Sequence, residues 1–199
     1  MKNKELGEVE TRQFGEVELR KDPDGKTIGL RGYAAVFNSA SEDFGGWIEK
    51  IDRGAFASDL KDAKDVRALI DHDTGRVIGR TSAGTLKLSE DDRGLSVDLD
   101  LPDTTDARDL LANIEAGNID AMSFGFRARD AAWEEGKEYD VRTLRDVELL
   151  EVSVVAFPAY PATSIGTRSH LDFRDTLKTQ GNEKRGATIA HRRLDLRSK

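Results

Sequence analysis

The segment Val147-Glu148-Leu149-Leu150-Glu151-Val152-Ser153-Val154-Val155-Ala156-Phe157 constrains this chain more than any other. It is apolar on both faces of an alternating strand, so it reads as a central, largely buried strand, closed by Pro158-Ala159-Tyr160-Pro161. A sheet must be built around it. Glu151 stands in its middle, and a carboxylate taken out of water needs an ion pair, hydrogen-bond donors or a raised pKa that serves a purpose. Pairing with an arginine is the ordinary structural solution. Glu148 lies nearer the polar approach from Arg142 to Asp146. An offset of three residues sends it to the opposite side of a regular strand from Glu151.

The rest of the body reads mainly as strands. Val17–Arg20 and Ile28–Arg31 flank Asp22-Pro23-Asp24-Gly25, a strong turn sequence, and form a hairpin that continues through Tyr33 to Phe37. Ala55 to Lys64 reads as a short helix, followed by a strand from Val66 to Ile70. A second hairpin joins Thr85–Leu88 to Leu95–Leu99 through Asp91-Asp92-Arg93-Gly94. The acidic cluster Glu90-Asp91-Asp92 lacks the spacing of a calcium loop and reads as a solvated turn. The clearest helix has Thr104 or Thr105 as N-cap, Asp106 in its first turn, Leu110, Leu111 and Ile114 on one side, and Gly117 as its stop. A strand from Ile119 to Phe126 follows. Its even positions are Met122, Phe124 and Phe126, and its odd ones Ala121, Ser123 and Gly125. Alternation puts the bulk on one face and leaves small residues around Ser123 on the other, where a substrate backbone could approach or another element could pack.

The length, 199 residues, suits one domain with tails. Hydrophobic residues make up 37% and charged residues 35%, which fits a globular domain and shows no membrane span. Met1-Lys2-Asn3-Lys4-Glu5 leads into no apolar stretch, so a secretory signal is not expected and the cytosol is the expected compartment. The absence of cysteine agrees, and it excludes disulfides, thiol catalysis, Cys-based zinc sites and iron–sulfur clusters. A net charge of −7 argues against a nucleic-acid partner. That charge is uneven. From Gly166 onward nine Lys/Arg stand against four Asp/Glu, a balance of +5 that leaves −12 on the preceding residues. The boundary divides a body, residues 1–165, from a basic, mobile or partner-dependent tail, residues 166–199.

Of the three histidines, His170 and His191 fall in the tail and only His72 lies in the body. By parity His72 continues the apolar face of Val66, Ala68 and Ile70, with Gly75 in a following loop. One imidazole makes a dedicated zinc site unsuited to this chain even with Asp71 and Asp73 beside it, and neither a metal nor another cofactor is expected. His72, Ser123 and Glu151 nevertheless supply each role of an acyl-transfer triad. Serine is a weak nucleophile until imidazole removes its proton, and a carboxylate fixes the tautomer and stabilises the imidazolium. Alternation along separate strands does not establish that the three converge.

Five segments together resemble the bacteriophage prohead proteases, capsid maturation serine peptidases related to the herpesvirus assemblins. They are Gly32-Tyr33-Ala34-Ala35-Val36-Phe37-Asn38, Glu49-Lys50-Ile51-Asp52-Arg53-Gly54-Ala55-Phe56, Ile70-Asp71-His72-Asp73 with Ile78-Gly79-Arg80, Met122-Ser123-Phe124-Gly125-Phe126, and Leu150-Glu151-Val152-Ser153 through Pro161. They cover roughly residues 30 to 165 in the family's order. Each alone is weak and the ordered set is specific.

The resemblance implies a mainly β fold with helices (α+β): a mostly antiparallel β-barrel wrapped by a few helices, as in assemblin. It implies His72 as general base, Ser123 as nucleophile and Glu151 as the orienting carboxylate, with Glu148 as substitute if the strand is bulged. The order His, Ser, acid resembles that of assemblin with a carboxylate in place of its second histidine. Backbone N–H groups of a nearby loop would form the oxyanion hole, and no donor is identified. The implied substrates are the major capsid protein precursor and scaffold inside the immature head in the host cytoplasm, with self-processing, and self-association is conceivable. The tail then becomes a segment for self-removal or scaffold attachment. Two other readings stay open: a non-enzymatic β-barrel adaptor of particle assembly, and a hydrolase of small esters, for which no small-molecule pocket speaks.

Overall fold

The computed structural model describes residues 9–156 and 169–179. Among them nine strands join into one hydrogen-bonded path, β5-β4-β9-β8-β1-β2-β7-β6, with β3 added to β9. Six of the eight strand pairings are antiparallel, and β9 takes β3 and β4 in parallel. The architecture is therefore mostly β with two short helices in the body. Among the described residues the pairing does not close into the expected barrel: β5 and β6 stand at the two ends of the path.

The turn chemistry sets the local elements. β1 (Glu10–Lys21) and β2 (Thr27–Val36) form the expected hairpin, pairing from Val17 with Gly32 to Lys21 with Thr27. Asp22 Oδ1 closes its turn by accepting from the N–H of Asp24 and Lys26, and Gly25 takes φ 84°. β6 (Leu86–Glu90) and β7 (Gly94–Asp100) are the second hairpin. Asp91 Oδ1 accepts from the N–H of Arg93 and Gly94, so the acidic cluster is a turn that ties its own backbone. Helix α1 (Ala57–Lys61) is shorter than the sequence reading, and α2 (Thr105–Glu115) matches it. Thr104 Oγ1 accepts from Ala107 N at 3.3 Å, and Gly117, at φ 74°, ends the helix.

Between these lie β3 (Trp47–Ile51), β4 (Arg67–Ile70) and β5 (Asp73–Arg80), then the two long strands β8 (Ala121–Glu134) and β9 (Asp140–Val155). β9 is central, as its apolar run requires: β8 lies on one side and β3 and β4 share the other. Phe157 to Pro161, expected to close it, lie outside the described residues. Met122, Phe124 and Phe126 point into the core as their alternation predicts. Phe124 packs edge-on to Phe56 with centroids 5.3 Å apart and stacks on Phe126 at 4.9 Å. Each buried phenylalanine contributes roughly 2–3 kcal/mol by removal from water.

One cluster of four charges is buried beside β3. Arg12 and Arg142 bind both Glu10 and Glu49 at 2.6 to 3.2 Å, and all four residues are at most 4% exposed. Burial opposes ionisation of both acids. The two guanidiniums outweigh it for Glu10, whose pKa is lowered, and fall short for fully enclosed Glu49, whose pKa is raised.

The chain divides into two units, residues 1–161 and 162–199. In the second, residues 169–179 are helical. The remainder of the basic tail lies outside the described residues. Among the described residues no helix is long and apolar enough to cross a membrane.

Candidate active site

Two strand ends and one tight turn build the site. β4 and β5 are joined by Asp71 and His72 alone, with Ile70 paired to Asp73. A two-residue hairpin of this twist needs positive φ at both central residues, and Asp71 and His72 have φ 50° and 59°. Asp and His tolerate this region better than most side chains. The turn is docked on the end of β9: Asp71 N donates to Val154 O, Ala156 N donates to Asp71 Oδ1, and His72 N donates to Ser153 Oγ at 3.3 Å. His72 is thus a turn residue and does not continue the apolar face of β4 as parity implied. Gly75 lies within β5, where a loop was expected. The strand reading failed because a I′ turn reverses the chain in two residues and resets the alternation.

The turn delivers the imidazole to Glu151. His72 Nδ1 lies 2.7 Å from Glu151 Oε1, and Ser153 Oγ donates to Glu151 Oε2 at 2.5 Å. The Glu151 carboxylate, partly buried, thus has partners, a histidine and a serine rather than an arginine. Its side chain is 14% exposed and that of His72 25%. His72 Nε2 is buried and makes no hydrogen bond. With Nδ1–H given to Glu151, that nitrogen presents its lone pair, the state a general base requires.

Ser123 lies directly opposite Ser153 in the β8–β9 ladder, and Gly125 lies opposite Glu151. A Cβ at Gly125 would fall 2.3 Å from Glu151 Oε1, so the carboxylate lies over the small face of β8. Ser123, two residues away, shares that face. The serine is fully buried and its hydroxyl donates to the carbonyl of Arg12 on β1 at 2.9 Å; no hydrogen bond joins it to His72. The structure therefore links His72 to Glu151 directly and sets Ser123 on the neighbouring strand with its hydroxyl turned away.

Glu148 is engaged elsewhere. It accepts from Lys64 Nζ at 2.8 Å and Arg127 Nη1 at 3.1 Å, and the Lys64 contact first of all lowers its pKa. It takes no part in the His72 contact, but not because it faces the other way: β9 carries an extra residue, Leu150, between the Gly125–Glu151 and Phe126–Leu149 pairs, and this bulge puts Glu148 on the same sheet face as Glu151, where a regular strand would have put it on the opposite one.

Sequence reasoning gave Ser153 no role and read Gly125 only as one of the small residues beside Ser123. Ser153 shares parity with Glu151, a signal that was legible; Gly125 matters only through the register of two strands. Among the described residues no cluster of His, Asp and Glu could hold a metal ion.

Comparison with known proteins agrees with this architecture. Residues 15–176 match the family model of the caudovirus prohead serine protease. The chain is 31% identical over 183 residues to the prohead protease of Enterobacteria phage HK97, covering 87% of this chain and 75% of that one. To the prohead protease of Escherichia phage T5 it is 30% identical over 149 residues, 74% of this chain and 66% of that one. The fold is similar to that of the bacteriophage T4 capsid assembly protease, with a TM-score of 0.51 at 12% identity, over 77% of this chain and 99% of that one. With a family model matched over most of its length and a curated relative at 31% identity, the chain belongs to the caudovirus prohead serine protease family.

Proposed function

We propose that the chain is a serine endopeptidase that cleaves capsid and scaffold proteins, and itself, inside the immature head, using Ser123, His72 and Glu151. The observation that carries this reading is the 2.7 Å contact of His72 Nδ1 with Glu151, which leaves a buried, unpartnered Nε2 at a sheet face that also holds Ser123. In this reading the Ser123 hydroxyl leaves the Arg12 carbonyl and turns its proton to that nitrogen when substrate binds. Contacts of this kind are commonly long or misaligned before substrate binds.

The chemistry then follows from the groups. His72 Nε2 takes the Ser123 proton as Oγ attacks the scissile carbonyl, and the Glu151 carboxylate stabilises the imidazolium. Collapse of the tetrahedral adduct breaks the C–N bond, and the imidazolium returns the proton to the leaving amine. Water, deprotonated by the same nitrogen, hydrolyses the acyl-enzyme and restores Ser123.

One observation favours a second reading. The Ser123 bond to Arg12 is what a structural serine would make, and a non-enzymatic adaptor of head assembly would need nothing more. Intact mass over time separates the two. The wild-type chain, concentrated and also mixed with capsid precursor, should yield discrete fragments that Ser123→Ala does not. Cleavage within the basic segment after residue 166 would identify a self-removed tail. Wild type and variant both staying whole in both mixtures would sink the protease reading.

A further inference from the structure

We infer that Ser153 is a positioning residue of the site, whose single hydroxyl locks the Glu151 carboxylate and the His72 turn to one another. The inference rests on the triad reading above and adds to it a residue that neither composition nor the triad pattern calls for.

Ser153 follows Glu151 by two residues on β9 and therefore projects from the same face. It is 1% exposed, so its hydroxyl must find partners within the protein. A hydroxyl has one proton and two lone pairs. The proton goes to Glu151 Oε2 at 2.5 Å, and a lone pair accepts His72 N–H at 3.3 Å. Glu151 Oε1 is thereby left to the imidazole at 2.7 Å. Each carboxylate oxygen has its own donor, which fixes the plane of the carboxylate and aims one oxygen at Nδ1. The same hydroxyl restrains the backbone of a histidine held at φ 59°, a conformation that persists only where its surroundings impose it. Without it, Oε2 loses its donor, and the carboxylate is free to rotate away from Nδ1.

These contacts also separate Ser153 from the nucleophile. Its proton lies on a carboxylate, and His72 offers it the backbone N–H rather than the ring. Ser123 carries neither restraint.

A fluorophosphonate probe tests this without knowledge of the cleavage site, because its phosphorus bonds to an activated serine Oγ as fluoride leaves and the base takes the proton. Mass spectrometry of the labelled wild-type chain should place the adduct on Ser123. Ser153→Ala should be labelled about 10- to 100-fold more slowly, the worth of one hydrogen bond to a charged group. Ser153→Thr and Ser153→Val provide a pair of equal shape that differs in the hydroxyl. Threonine should restore most of the rate and valine should not. The far-downfield proton of the imidazole–carboxylate hydrogen bond, read by NMR, should persist in the threonine variant and shift or broaden in the valine variant, a change that loss of stability alone does not produce.

Equal labelling of the threonine and valine variants, with the resonance unmoved, overturns the inference and leaves the triad standing. An adduct on Ser153 overturns both. Failure of the wild type to label overturns the triad reading, and the resonance in the matched pair then decides alone whether Ser153 orders Glu151.

Discussion

Gly125 faces Glu151 across the β8–β9 ladder, and the space a methyl group would take there is filled by the Glu151 carboxylate, whose Oε1 would lie 2.3 Å from the added carbon. Gly125→Ala demands no unusual backbone, so the chain should still fold. What must yield is the end of a flexible side chain, and its displacement breaks the contact with His72. Probe labelling of Ser123 should fall by about 100-fold with little change in unfolding midpoint. A labelling rate within twofold of wild type would show that the carboxylate has room to spare.

Glu151 and Glu148 separate function from stability on one strand. Glu151→Gln removes the charge that supports the imidazolium and offers Nδ1 an amide, so labelling should drop by on the order of 10³-fold or more. Glu148→Gln should label normally and cost roughly 1 kcal/mol in urea unfolding, because Lys64 and Arg127 lose a charged acceptor. The pKa of Glu148 is depressed in the fold below its ordinary 4.5. Its stabilisation is therefore present above that value and lost as pH falls through the lower native one, and the Gln variant should lose that part of the acid dependence.

Asp71 holds the turn that carries His72. Asp71→Ala removes the acceptor of Ala156 N–H and leaves a residue poorly suited to φ 50°. It should cost about 1–2 kcal/mol and slow labelling as the hairpin tip loosens. Asp71→Asn keeps an oxygen and tolerates the same conformation, so it should stay within about 0.5 kcal/mol. Equal stabilities for the two variants, measured by urea unfolding, would show that the Asp71 side chain does not hold the turn.

Arg142 binds both buried acids, so Arg142→Met should destabilise by about 3–5 kcal/mol at neutral pH, with two carboxylates left to Arg12. The loss should shrink on acidification. Glu10 has a native pKa below 4.5, so its stabilisation exists above that value and disappears as pH falls through the native one. Urea unfolding of wild type and variant at neutral and acid pH checks both the size and the sign.

Much of this molecule is written in short stretches of chain. The Asp22-Pro23-Asp24-Gly25 turn, the Thr104 cap, the Gly117 stop and the core face of Met122, Phe124 and Phe126 follow from neighbours a few residues apart, because backbone propensity and alternation are local properties. The burial of β9 and the need of Glu151 for a partner follow in the same way, whereas the bulge at Leu150, which turns Glu148 to the same face as Glu151, does not. The identity of that partner is not local. His72 meets Glu151 across 79 residues, through a hairpin whose positive φ values overturn the parity of β4 and through the parallel register of Arg67 with Glu151. Register between strands distant in sequence is set by the packing of the whole sheet, and no short window of residues encodes it. That packing alone brings the His72 turn to Ser153, lays the Glu151 carboxylate over Gly125, and turns the Ser123 hydroxyl toward Arg12 rather than toward the imidazole.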